Sequence, residues 1–212
     1  KAQALKNYVL IRSVGIAEGE LKSISAYLID KFEISMKSFK KEEESKTDSW
    51  EDDVVKIHLD QHEKLKNSTK GRIIASQKKL GNARKIGDTF QAINGIKRKD
   101  NAGNHHPFFD WLQDLSPFDK KERNLFREAD KLLKDRNDIT HNVTDYHDSA
   151  DSLLIKITDW QGLINMMWFA SFIHLSRGQK DLEKKIADAC QKLFSMTLKE
   201  FYEITDNHTK KT

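Results

Sequence analysis

The residues best equipped for chemistry lie in one run, Lys134-Asp135-Arg136-Asn137-Asp138-Ile139-Thr140-His141-Asn142. An arginine holds a phosphate through a fixed fork of N–H donors, and a histidine exchanges protons near neutral pH. With an amide beside the arginine, these side chains are suited to a phosphodiester. Their spacing adds a constraint. On an ideal helix a five-residue step turns about 500°, which leaves Arg136 and His141 about 140° apart. Asn137 and His141, four residues apart, share a face. Convergence of the arginine and histidine therefore needs a helix end, a distorted turn or a second copy of the chain. The non-catalytic reading is an arginine favourable to the helix macrodipole, followed by His141 and Asn142 as plain capping residues.

The helix that must carry this run starts at Ser116-Pro117, an N-cap serine followed by proline at the first helical position. Phe118, Leu125, Phe126, Ala129, Leu132, Leu133 and Ile139 then form one apolar stripe leading into the motif. Asn142 to Ser152 is polar and reads as a loop. A second Arg/His pair, Arg98 and His105, has Lys99 in place of the amide and lies in a loop rich in glycine and asparagine.

Arg136-Asn137-Asp138-Ile139-Thr140-His141 resembles the Arg-x(4–6)-His signature of the HEPN superfamily of helical ribonucleases, in which the residue after the arginine is typically Asn, Asp or His. The resemblance implies metal-independent RNA cleavage at a symmetric dimer interface, without a cofactor. The ribose 2′-hydroxyl attacks the adjacent phosphate and leaves a 2′,3′-cyclic phosphate. His141 is then the general acid or base, Arg136 stabilises charge on the phosphate oxygens, and Asn137 positions the histidine or the scissile phosphate. The implied partners are RNA, a second copy meeting the face of Arg136 and His141, and an antitoxin or regulatory protein. The setting is a toxin–antitoxin pair, RNA processing or antiviral defence. Some HEPN toxins are silenced by nucleotide transfer onto a tyrosine two residues after the histidine. Val143 occupies that position and Tyr146 lies three residues further, so this control is not expected.

The charge pattern fits an RNA partner. From Lys64 to Lys99 eleven Lys or Arg stand against one acid, Asp88, whereas residues 40–63 are acidic. Arg72, Lys78, Lys79, Arg84 and Lys85 are the expected RNA-backbone contacts, with an affinity that falls with salt. A solvated lysine-rich surface is the competing reading.

Other constellations are weaker. His58 and His62 have the helical spacing of a metal pair, but Leu59 stands where a zinc protease places glutamate. His105-His106 before Pro107 reads as the end of an exposed loop. His174, in an apolar run from Trp160 to Leu175, reads as a hydrogen-bonded core histidine. Cys190 lies on an apolar helical stripe and reads as an inert thiol. A lone cysteine and no signal peptide point to a reducing compartment, the cytoplasm, and no apolar run is long enough for a membrane.

The 212 residues include only two prolines and nine glycines, with a third of the chain charged. This composition predicts an all-α fold: an up-and-down helical bundle, of HEPN type if the resemblance holds, with a long first helix and extra helices. One domain is expected over residues 1–205, followed by a frayed tail over 206–212. Apolar spacing predicts one long or two nearly continuous helices over 2–44, with weak points at Gly15 and Gly19. One or two helices over 69–95 have stops at Gly81 and Gly95, and a last helix from Leu182 continues to Phe201 and Ile204. The alternative to a nuclease is a non-catalytic helical module of the same fold that binds RNA or protein. A helical cytokine fits poorly with the lone cysteine and the lack of a signal peptide.

Overall fold

Leu10, Val14, Ala17, Leu21 and Leu28 recur at three-, four- and seven-residue steps, and all five are buried on one side of helix α1 (Ala2–Lys31). The computed structural model describes residues 2–35, 69–78, 80–97, 106–116, 125–141 and 145–209. Among these residues every regular element is a helix. After α1 come α2 (Lys70–Gln77), α3 (Ala83–Asn94), α4 (Pro107–Leu115), α5 (Leu125–Thr140), α6 (Ala150–Leu175), α7 (Glu183–Phe194) and α8 (Leu198–Thr209). The fold is an all-α bundle, as composition predicts.

The first helix is shorter at its end and steadier in its middle than the spacing suggests. It runs through Gly15 and Gly19 without a break and stops at Lys31, where Glu33 takes a left-handed φ of 51°. Residues 36–44 lie outside the described residues. Leu5, Tyr8 and Ile16 fit the apolar spacing but are exposed, because they lie off the side of α1 that Leu10, Val14, Ala17 and Leu21 bury.

The 69–95 stretch forms two helices. Thr69 caps α2 by accepting the Arg72 N–H, and Asn82 caps α3 by accepting the Lys85 N–H. Gly95, at φ 62°, closes α3 in the left-handed conformation that glycine adopts without a Cβ penalty. Between α1 and α2 the backbones nearly touch. A Cβ on Gly71 would lie 2.1 Å from the Ala26 carbonyl oxygen, and the Gly71 N–H donates to Asp30 Oδ1 at 2.7 Å.

His106 corrects the reading of an exposed loop ending there. It is 6 % exposed and is the N-cap of α4, with Nδ1 accepting the Phe108 N–H. Nε2 therefore carries the proton and donates to Asp88 Oδ1 at 3.1 Å. Ser116, expected to start the motif helix, closes α4 instead, its N–H donating to Gln113 O. Residues 117–124 lie outside the described residues, and α5 is described from Leu125.

Helix α6 starts at Ala150, inside the stretch read as loop, because Ser149 caps it by accepting the Ser152 N–H. It packs against α1, α3, α4, α5 and α7. Asn7–Asp145, Glu20–Gln161, Tyr27–Trp168 and Phe32–Phe172 are successive contacts along α1 and the α6 side. Both numbers rise together, so α1 and α6 run parallel, a departure from strict up-and-down alternation. His174 is the expected core histidine: Nε2–H donates to the Asn94 carbonyl at 3.0 Å, and burial pushes its pKa down.

The expected last helix is two. Ser195 takes a left-handed φ of 55°, and Thr197 with Glu200 forms a reciprocal cap. The tail expected to fray from Asp206 is helical to Thr209. His208 is buried and bonds Asp114 Oδ2 at 2.8 Å, and the Lys97 N–H donates to His208 O. Residues 210–212 lie outside the described residues. One hydrophobic cluster takes side chains from every described helix, with Trp111, Phe90, Phe108, Phe194 and Phe201 fully enclosed.

The 2.1 Å approach at Gly71 gives a direct check. Gly71→Ala forces α2 off α1 and lowers unfolding stability by about 1–3 kcal/mol, the usual cost of overpacking, read from the urea midpoint.

Candidate functional site

Leu132, Leu133 and Ile139 bury one side of α5 and so fix the rotation of its last turn. On that turn Arg136 points toward α1, where its Nη2 meets Glu18 Oε2 at 3.4 Å. The Arg136 side chain is 18 % exposed, and its Nε is buried with no hydrogen-bond partner among the described residues. Asn137 reaches the turn between α2 and α3, donating from Nδ2 to the Gly81 carbonyl at 3.1 Å. Arg136 borders the same turn: a Cβ on Gly81 would lie 3.9 Å from its Nη2.

His141 lies one residue past the helix and is exposed. Its N–H still donates to Asn137 O at 3.0 Å, and Thr140 Oγ1 donates to Arg136 O at 2.8 Å. The helical ladder is therefore unbroken from Arg136 to His141, and no distorted turn brings the arginine and histidine together within one chain. Arg136 and Asn137 share the Gly81 turn, whereas His141 stands apart.

The same turn gathers the basic segment. Lys78 precedes it and is half-buried, and exposed Arg84 and Lys85 follow it in the first turn of α3. Two cations at the positive end of a helix dipole oppose local stability and concentrate positive potential. Exposed Arg72 lies farther along, in the first turn of α2. Lys79, His58, His62, Arg98 and His105 lie outside the described residues.

The segment after the motif is tied down by Lys156. Its Nζ pairs with Asp148, lies 4.0 Å from Asp135 Oδ2 and sits over the Tyr146 ring. Asn7 holds the same segment from α1, accepting the Tyr146 N–H and donating to Asp145 Oδ1. Burial raises the Asp135 pKa, and the Lys156 contact lowers that of Asp148. Tyr146 is 4 % exposed, and its hydroxyl donates to Asp148 Oδ2. That leaves it poorly placed as a modification site. His147 is exposed on this segment.

Glu18 and Gly81 are the site residues that sequence reasoning missed as partners of the motif. They lie 118 and 56 residues from their partners, and no local pattern announces either contact. Among the described residues no three His, Cys, Asp or Glu side chains form a metal-holding group, and no helix is long and apolar enough to cross a membrane. Cys190 is buried, with its pKa pushed up to about 11 by desolvation, so the thiol stays protonated at neutral pH.

Removing the two ties has different costs. Asn137→Ala leaves the Gly81 carbonyl without its donor and lowers stability by about 1 kcal/mol. Arg136→Ala removes one long ion-pair contact and costs about 1 kcal/mol or less. Urea denaturation of both variants checks this, and a much larger loss for Arg136→Ala would make that residue primarily structural.

Comparisons of the chain with protein-family models, with curated proteins and with solved structures find no match.

Proposed function

We propose that the protein is a metal-independent endoribonuclease of HEPN type that works as a homodimer. The observation that carries this reading is the Asn137–Gly81 hydrogen bond, which sets the motif against the basic turn of Lys78, Arg84 and Lys85. A phosphodiester laid across this turn has cations for its backbone, the Arg136 guanidinium for its non-bridging oxygens and an exposed imidazole at the end of the same helix.

In the proposed reaction one His141 takes the proton from the ribose 2′-hydroxyl, whose oxygen attacks phosphorus. The 5′-oxygen departs and takes its proton from solvent water. The products are a 2′,3′-cyclic phosphate and a 5′-hydroxyl end. Arg136 stabilises the charge that grows on the phosphate oxygens, for which it exchanges its 3.4 Å contact with Glu18. The unbroken helix supports a two-fold partner. Arg136 and His141 diverge on an unbroken helix, so a second copy facing the first supplies the missing group across the cleft. The proposed setting is cytoplasmic toxin–antitoxin, RNA-processing or defence biology, with an antitoxin or regulatory protein as a further partner.

A second reading, a non-catalytic module that binds RNA or protein, is favoured by the Arg136–Glu18 contact, which gives the arginine a structural occupation. The two readings separate in one assay. The full chain is incubated with RNA in EDTA beside His141→Ala, and the ends are analysed. The nuclease reading expects cutting that survives chelation, yields cyclic phosphate ends and falls at least about a hundredfold in the variant. Folded, dimeric protein that cuts none of a diverse RNA set contradicts it.

A further inference from the structure

Glu18 divides its carboxylate between two cations. Oε2 meets Arg136 Nη2 at 3.4 Å, and Oε1 meets Lys22 Nζ at 3.9 Å. From Lys22 onward, α1 and α2 flank a groove of about 380 Å³, within the size range of small-ligand sites. Lys22, Ser23, Tyr27 and Asp30 line it from α1, and Arg72 and Ser76 from α2.

The smaller polar groups of this groove are already engaged within the protein. Ser23 Oγ donates to Gly19 O, Ser76 Oγ donates to Ile73 O, and Asp30 Oδ1 accepts the Gly71 N–H. The groups that face a ligand are the Arg72 guanidinium, the Tyr27 ring and the Lys22 ammonium, whose contact among the described residues is the long 3.9 Å one with Glu18. That ring is 45 % exposed and is steadied by Trp168, edge to face, with centroids 5.1 Å apart. Two cations beside a supported aromatic ring suit one nucleotide of a single strand: charge holds the phosphate and the ring stacks on the base. A duplex, whose bases stack on one another, offers Tyr27 no open face.

We infer that the α1–α2 groove is a subsite for the unpaired RNA nucleotide flanking the phosphate at Arg136, joined to it through Glu18 and Lys22. The inference deepens the endoribonuclease reading and rests on it for the identity of the polymer. Its occupancy depends on groups remote from His141, so the two claims fail separately.

The test measures binding of the full chain, in EDTA, to a short labelled 2′-O-methyl oligoribonucleotide that lacks the attacking hydroxyl. Lys22→Gln, Arg72→Gln and Tyr27→Leu are compared with wild type by fluorescence anisotropy, after circular dichroism shows that each is folded. Each substitution is expected to weaken single-strand binding about tenfold, the scale of one stacking or backbone contact. Binding of the corresponding duplex responds to Arg72→Gln and Lys22→Gln but not to Tyr27→Leu. Variants that bind the single strand as wild type does overturn the subsite, even where the wild type cuts RNA. Groove-dependent binding by a chain that cuts no RNA upholds the subsite and removes the nuclease reading. Equal loss of duplex and single-strand binding in Tyr27→Leu overturns the stacking role.

Discussion

The hydrogen bond from the His141 N–H to the Asn137 carbonyl keeps α5 helical through the end of its motif, and the arrangement of the site follows from it. A helix that stays regular cannot aim residues 136 and 141 at one point. Burial of Leu132, Leu133 and Ile139 then fixes which way the turn faces. Arg136 is directed onto α1, Asn137 onto the Gly81 turn and His141 outward. In the proposed reaction a second chain completes a centre that uses both the arginine and the histidine.

Around that turn the packing serves position more than stability. The ties to α1 and to the α2–α3 turn are one 3.4 Å ion pair and one 3.1 Å hydrogen bond, interactions of about 1 kcal/mol each. The core that holds α5 lies beneath, in the cluster of aromatic and aliphatic side chains shared by every described helix. Arg136 is thus lightly held on a firmly held helix, as the proposed exchange of Glu18 for a phosphate needs. Lys156 and Asn7 perform the matching task on the segment that follows, so the chain is anchored on both sides of the motif.

Features governed by neighbours along the chain were legible in the sequence. The helical composition, the cap at Gly95 and the position of Arg136 near a helix end all depend on residues a few positions away. The burial of His174 follows from the apolar run around it, but its Asn94 partner lies 80 residues away. The break at Ser195 was legible in principle from the Thr197 and Glu200 capping pair, but the apolar spacing runs through it and favours one helix. Local spacing places His106 in a loop and His208 in a tail, because their Asp88 and Asp114 partners come from other elements. Glu18 and Gly81 were invisible for the same reason: a contact across 118 or 56 residues leaves no mark on local spacing. The exposed Leu5, Tyr8 and Ile16 show the converse, since apolar spacing gives a face without saying how much of it is covered.

The central claim is that arginine and histidine act together only across two chains, and subunit complementation tests it most directly. Arg136→Ala and His141→Ala chains, each expected to be inactive alone, are unfolded together, refolded as a mixture and assayed on RNA. If the site pairs one chain's Arg136 with its partner's His141, mixed dimers hold one intact pair, and the mixture recovers roughly a quarter of wild-type cleavage. A mixture that forms dimers yet stays as inactive as either variant contradicts the account.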